Sequence, residues 1–482
     1  MQIRRHKTKI VATIGPASES PEIIERLIEA GMDIARLNFS HGDFAGHARR
    51  ITALREAERR AGRRVAIMAD LPGPKIRVGR FENEVVELKA GQEFTLTTDD
   101  IVGTAERVSV NFARLPEVVR PGCKVFLNDG LVELEVERVA GREVNCRVVV
   151  GGELRSRKGL NIPGVDLGIS AFTDHDRACL EFAVRHGVDA VGQSFVGRAA
   201  DVEAVRAAVP EGCKTPFVVA KIERGIALEK LDEILKAADG IMVARGDLGV
   251  EVPIQEIAVV QKKLIAMANL AGKPVITATQ MLESMVVNRL PTRAEATDVA
   301  NAVLDGTDCL MLSGESAMGK YPVESVEMLA RIAAFAETHL PGTRLRTLHD
   351  LCHERPLMSQ AESIAMVVEH ALETVPCAAV FVPTRTGTTA RMISRYKPPV
   401  WIVALSCDPH VCQALHFSAG VVPVCLDAEP GDWGSFAEQW LEEQSIQGEV
   451  AMLVTGPSER HPEANHRLEF VRVGIKPAFM NK

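Results

Sequence analysis

The chain has 482 residues, 46% hydrophobic and 25% charged, which suits a globular protein of about three domains. Its formal net charge of −8, from 56 basic and 64 acidic residues, argues against general affinity for nucleic acid but leaves room for local anion pockets. No apolar run is long enough to span a bilayer, no secretory leader is expected, and the ten cysteines contain no Cys-x-x-Cys pair, so they read as free thiols of a reducing cytoplasm.

In chain order, residues 8–14 form an apolar strand. Ser20 then caps a helix with Pro21 at its first position, and Gly31 closes it. A strand at 32–39, a helix at about 44–61 and a strand at 65–70 follow. The alternation then stops. Residues 71–168 carry short valine-rich strands broken by Ala90-Gly91, Pro121-Gly122 and Gly151-Gly152, the texture of a small β module. Pro72-Gly73-Pro74 and Pro163-Gly164 stand at its two ends like hinges.

Alternation resumes at Thr173, a cap with Asp176 three residues on. Strands are expected at 190–195, 217–223, 241–248, 275–279 and 309–313, with helices between them. Residues 1–70 and 169–342 thus supply eight strands, at about the length typical of a (β/α)₈ TIM barrel, ~250 residues. An open doubly wound sheet satisfies the same pattern. Residues 343–482 read as a smaller C-terminal α/β domain, with strands near 378–382, 401–405, 421–426, 450–454 and 470–473.

Two short runs carry most of the chemistry. Lys221-Ile222-Glu223 ends one apolar strand and Ala244-Arg245-Gly246-Asp247 ends the next, with a helical segment at 227–238 between them. That βαβ order points both strand ends the same way, where parallel α/β folds place ligands. Glu223 and Asp247 offer hard oxygens to a divalent cation. Lys221 beside them suits phosphate or enolate charge. In the third domain, Thr384-Arg385-Thr386-Gly387-Thr388-Thr389 follows a strand and opens a helix. Its hydroxyls, N–H groups and Arg make a phosphate cradle, or a simple helix start capped by Thr388.

Longer motifs carry a resemblance. Thr13-Ile14-Gly15-Pro16-Ala17-Ser18, Arg36-Leu37-Asn38-Phe39-Ser40-His41-Gly42, Gly73-Pro74-Lys75-Ile76-Arg77, Lys221-Ile222-Glu223 and Ala244-Arg245-Gly246-Asp247-Leu248-Gly249-Val250-Glu251 resemble the pyruvate kinase family. So do Thr277-Ala278-Thr279-Gln280-Met281-Leu282-Glu283-Ser284-Met285, Pro291-Thr292-Arg293-Ala294-Glu295 and Met311-Leu312-Ser313-Gly314-Glu315. The resemblance implies a barrel with a β-rich lid inserted after its third strand and a C-terminal regulatory domain. It implies a cytoplasmic homotetramer that transfers the phosphoryl group of phosphoenolpyruvate to ADP, giving pyruvate and ATP, with Mg²⁺ or Mn²⁺.

Carried onto this sequence, the resemblance gives Glu223 and Asp247 the divalent cation, and Arg36 and Lys221 the transferring phosphoryl group. It gives Gly246, Asp247 and Thr279 the substrate carboxylate, with Thr279 also near the protonation of enolpyruvate. Arg77, Lys158 and Asp129 would reach the nucleotide from the lid, joined by Pro16 and His41. Many members hold K⁺ at the positions of Asn38, Ser40, Asp70 and Leu71. That last position is often Thr, and members that need K⁺ commonly have Glu at the position of Lys75. Lys75 is therefore expected to act as an internal cation that makes K⁺ dispensable. The loop Thr384–Thr389 is expected to take a phosphorylated effector. Two other functions fit the acidic pair, a metal-dependent pyruvate-enolate aldolase or lyase and a non-catalytic metabolite sensor.

Overall fold

The computed structural model describes residues 3–165, 167–340, 359–456 and 465–474. Eight parallel strands close into a barrel. They are β1 (Lys9–Thr13), β2 (Ile34–Asn38), β3 (Ala66–Asp70), β4 (Ala190–Gln193), β5 (Phe217–Ile222), β6 (Gly240–Ala244), β7 (Val275–Ala278) and β8 (Cys309–Leu312), with β8 hydrogen-bonded back to β1. These strands are buried on both faces, which is why they read as unbroken apolar runs.

Helix starts follow the residues that sequence reasoning picked out. The Ser20 side chain accepts from the Ile23 N–H, and Thr173/Asp176 and Thr292/Glu295 form reciprocal capping boxes. Each helix carries the chain back down the barrel, so every strand delivers its carboxyl end to one face. Two local expectations need correction. The strand expected over 241–248 stops at Ala244, and Arg245–Glu251 is a helix, because the apolar run ends where Arg245 begins to hydrogen-bond the β7 turn. The helix expected over 227–238 is two helices, Gly225–Glu229 and Leu231–Ala237, broken at Lys230, whose φ of −107° leaves the helical region.

Between β3 and the helix Asp174–Arg185 lies the inserted β-rich unit. A six-stranded sheet and a two-stranded ribbon enclose their own core, from Ile76 to Ile162. The C-terminal unit is a five-stranded sheet in the order Val421–Cys425, Trp401–Ser406, Ala379–Pro383, Val450–Thr455, Arg467–Arg472, the last strand antiparallel. The expected domain boundary at 342–343 lies outside the described residues. Among the described residues no helix is long and apolar enough to cross a membrane.

One packing feature was not legible in the sequence. Phe417 of the C-terminal unit is fully buried among the residues that fill the barrel interior, stacked on Phe217 with ring centroids 4.8 Å apart. Burying such a ring contributes about 1.5–3 kcal/mol. It plugs the lower mouth of the barrel and joins the third domain to the first strand turn of β5.

Candidate active site

Asp70 ends β3 and is the buried anchor of the upper face. Arg36, from β2, donates to its Oδ2 through Nε at 2.8 Å and also through Nη2. The third arm of that guanidinium, Nη1, donates to Thr13 Oγ1 at 2.9 Å. A fork held at three points presents a fixed plane, the geometry that suits phosphate oxygens. Lys221, from β5, stands 3.1 Å from Asp70 Oδ1. Its ammonium also lies 2.9 Å from Glu223 Oε1 and donates to Ser194 Oγ at 2.7 Å. Two cations from different strands thus share one buried carboxylate.

Electrostatics follow from this placement. Burial works against the charge of Lys221, but Asp70 and Glu223 outweigh it and raise its pKa, so the ammonium stays charged. Burial would raise Asp70, but Lys221 and Arg36 outweigh it and hold its pKa below the ordinary carboxylate value. Glu223 moves the other way. Burial raises its pKa, Lys221 offsets this only in part, and repulsion from Asp247 adds to the rise. Glu223 and Asp247 therefore feel each other as like charges, Glu223 directly after β5 and Asp247 in the helix that follows β6, the two strands being parallel neighbours whose register pairs Ile222 with Val243. A cation between them would relieve that repulsion. Glu223 is further fixed by the Phe195 N–H, 2.7 Å from Oε2. Among the described residues no three His, Cys, Asp or Glu side chains gather as a closed metal cage. Two carboxylates that leave other positions to substrate and water match what Mg²⁺ usually accepts.

Thr279 follows β7 in the left-handed region, with φ 71°, a costly conformation for a β-branched residue. Arg245 holds it there. Its Nη2 donates to the Thr279 carbonyl at 2.6 Å and its Nε to the Ala278 carbonyl at 3.2 Å, while Nη1 rests on both oxygens of Asp298 at 2.8 and 2.7 Å. The Thr279 hydroxyl donates to the Ala278 carbonyl and accepts the Gly246 N–H at 2.8 Å. The Gly246 N–H is thus already engaged inside the protein, and Thr279 makes the local backbone bond common for this residue type. Replacing Arg245 with Gln should free this turn and lower kcat roughly 10- to 100-fold, because a shift of about 1 Å at the residues lining the barrel's upper face costs that much. Steady-state kinetics check this, and an unchanged kcat would show that Thr279 needs no such clamp.

The inserted unit meets the barrel at this face. Lys75 Nζ lies 3.3 Å from Asp247 Oδ1, and a side chain at Gly130 would touch Val250. Lys158 Nζ and Asp129 Oδ2 face each other at 3.9 Å on the lid, Lys158 half-buried and Asp129 exposed, and Arg77 donates to the Arg157 carbonyl at 3.0 Å. Pro16 and His41 are exposed in the loops after β1 and β2. At the expected monovalent positions, Asn38 Oδ1 accepts the Ser40 N–H at 3.1 Å and the Leu71 carbonyl accepts Ser194 Oγ at 2.7 Å. Both Asp70 oxygens face Arg36 or Lys221. The ion pair of Lys75 is with Asp247 rather than Asp70.

In the third domain the Thr384 hydroxyl accepts the Gly387 N–H at 2.9 Å. Gly387, with φ 75°, precedes the helix Thr388–Ser394, so Thr388 is its first residue and not its cap. Thr386 and Thr388 hydroxyls lie 2.9 Å apart, and Arg385 lines a small hollow with Asp408, Glu429 and Trp433. Sequence reasoning missed Ser194, Thr13 and Arg245. Ser194 follows the last residue of β4 at the carboxyl end of a barrel strand, the end from which Lys221 also projects, and that position was the available signal.

Fixed cations anchored on buried carboxylates, an acidic pair open to a divalent ion, and a lid touching the same barrel face define a phosphotransferase of the (β/α)₈ class. The description "Pyruvate kinase, barrel domain" matches residues 5–326, and "Pyruvate kinase, alpha/beta domain" matches 362–464. The pyruvate kinase of Thermococcus litoralis is 51% identical over 430 residues, spanning 89% of this chain and 90% of that protein. That of Geobacillus stearothermophilus is 46% identical over 424 residues, spanning 86% of this chain and 71% of that protein. A crystal structure of a pyruvate kinase from Cryptosporidium parvum superposes with a TM-score of 0.91 at 36% identity, covering 98% of this chain and 97% of that one. The chain belongs to the pyruvate kinase family, whose substrates are phosphoenolpyruvate and ADP and whose chemistry requires a divalent metal.

Proposed function

We propose that Glu223 and Asp247 hold Mg²⁺ or Mn²⁺ and that Arg36 and Lys221 grip the phosphoryl group in transfer. The observation that carries this is the shared anchor. Asp70 fixes both cations, so their charge needs no reorganisation when the phosphoryl group leaves one oxygen for another. When bound, the divalent ion spreads the negative charge of phosphoryl and enolate oxygens. The loose transition state leaves alignment and fixed charge as the main sources of rate. Thr279 and the N–H groups of Gly246 and Asp247 receive the substrate carboxylate, which requires Gly246 to exchange its bond to Thr279 for one to substrate. Arg77, Lys158 and Asp129 reach the nucleotide from the lid, with Pro16 and His41 on the barrel side. Closing the lid keeps water from competing with ADP.

Lys75 is read as an internal cation. The oxygens at Asn38, Asp70 and Leu71 already hold donors, and a positive charge already stands beside Asp247, which supports turnover without K⁺. Wild type should run about equally in K⁺ and tetramethylammonium buffers. Lys75→Glu should lose roughly tenfold or more in tetramethylammonium and regain most of it in K⁺. A large K⁺ activation of wild type would end this reading. The enzyme is further read as a cytoplasmic homotetramer whose Thr384–Thr389 loop takes a phosphorylated effector.

The assay that tests the whole is ATP formation from phosphoenolpyruvate and ADP, with and without Mg²⁺ and K⁺. Mg²⁺-dependent ATP production is expected. Binding without turnover would indicate a sensor, and cleavage of a hydroxy-oxo acid would indicate an aldolase.

A further inference from the structure

Three consecutive residues at the carboxyl end of β4 touch both stems of the lid and the charged groups of the upper face. The chain leaves the barrel for the lid after Asp70 and returns before the helix Asp174–Arg185, so Leu71 and Gly73 lie on the outgoing stem and Ala171 and Thr173 on the returning one. Gln193 Nε2 donates to the Ala171 carbonyl at 2.6 Å and to the Ser194 carbonyl at 3.0 Å. Ser194 Oγ donates to the Leu71 carbonyl at 2.7 Å and accepts Lys221 Nζ at 2.7 Å. The Phe195 N–H donates to Glu223 Oε2 at 2.7 Å.

The two stems are also joined to each other. The Gly73 N–H donates to Asp176 Oδ1 at 2.9 Å, and Asp176 Oδ2 accepts the Thr173 N–H at 2.8 Å. Gly73 presses on the same segment. A Cβ there would stand 2.8 Å from Phe195 Cδ2 and 2.9 Å from Ser194 Cβ, and its φ is 67°, so only glycine permits this approach. Phe195 itself has φ 57°, a costly conformation for a bulky residue. Gln193 is fully buried, and both groups it meets are carbonyls, so its amide nitrogen must face them. Its Oε1 has no hydrogen-bond partner among the described residues. An apolar side chain of that size would fill the space at less cost, so what this amide contributes is its hold on the two carbonyls.

We propose that Gln193 is a positioning residue for phosphoryl transfer: through Ser194 it ties the lid stems to Lys221, and Phe195, seated against Gly73, does the same for Glu223. This rests on the reading of Lys221 as a grip on the phosphoryl group and of Glu223 as a metal ligand, and deepens it. A turn of the stems moves the carbonyls of Leu71 and Ala171, whose donors are Ser194 and Gln193. Ser194 carries the hydroxyl that Lys221 meets, and the next peptide carries the N–H on Glu223. Lid position and the alignment of cation and carboxylate are therefore one variable, and the site is fully assembled only when water is shut out.

A double-mutant cycle on the full chain tests this. Gln193→Leu keeps the volume and removes both donated bonds. It should lower kcat for ATP formation roughly 10- to 100-fold and leave the KM for phosphoenolpyruvate within about threefold. In the Lys221→Met background the same substitution should cost less than about threefold, because the group it aligns is gone. If the leucine variant does not fold, Gln193→Met, a more flexible apolar chain, supplies the same comparison. Gly73→Ala tests the other arm from the lid side. It should displace Phe195 and raise the Kd for Mn²⁺, read by the electron paramagnetic resonance of the free ion, about tenfold. An equal loss from the Gln193 substitution in both backgrounds, a kcat within about twofold of wild type, or unchanged Mn²⁺ binding by Gly73→Ala would each overturn the proposal and leave the role of Lys221 standing. If Lys221→Met alone left kcat near wild type, the underlying reading would fall and take the proposal with it.

Discussion

Lys221→Met is expected to lower kcat by ~10³-fold while the KM for phosphoenolpyruvate changes only a few-fold, because fixed positive charge on a transferring phosphoryl group is worth about that much. The side chain sits where two carboxylates and one hydroxyl meet, at 2.7 to 3.1 Å, and all three hold its charge in place. Methionine matches the length of the chain and keeps its apolar packing, so the loss isolates the ammonium. Asp70 keeps Arg36 as partner, which limits the penalty of leaving a buried carboxylate alone. Stopped-flow assay of ATP formation, with a thermal melt beside it, checks the split. A kcat within about tenfold of wild type would show that Lys221 is an anchor for Asp70 and not a participant.

Glu223→Gln is expected to raise the concentration of Mg²⁺ needed for half-maximal rate roughly 100-fold and to lower kcat at saturating metal. The amide keeps an oxygen for the Phe195 N–H, so the backbone turn after β4 survives. What it loses is the negative charge that Asp247 repels, and with it the anionic partner 2.9 Å from Lys221. The Mg²⁺ dependence of the rate, measured at fixed free nucleotide, separates this from a general loss of stability. A Mg²⁺ curve that superposes on wild type would remove Glu223 from the metal site.

The sequence revealed what depends on local pattern. Apolar runs of the barrel strands, the Ser20, Thr173 and Thr292 caps, and the change of texture after Asp70 each follow from residues close together in the chain. The convergence of Lys221, Glu223 and Asp247 was legible for the same reason, since one βαβ unit carries all three. What stayed hidden lies in contacts far apart in sequence. Phe417 enters a barrel mouth lined by Phe217, and Arg36 meets Lys221 through Asp70, 34 residues after Arg36. No local signal announces such pairs. The clamp of Arg245 on Thr279 and Asp298 is hidden likewise, although a Thr at a positive φ implies that something must hold it. The expectation of a strand through 248 overshoots the end of β6 at Ala244, because Leu248 continues the strand's apolar composition while belonging to a helix.

The central claim is that two neighbouring strand ends bring an acidic pair to one divalent ion. Titration of the full chain with Mn²⁺, read by the electron paramagnetic resonance of the free ion, tests it directly. Wild type should take up one Mn²⁺ per chain, and the double variant Glu223→Gln/Asp247→Asn should take up none in the same range. Unchanged uptake by that variant would place the metal elsewhere and contradict the account.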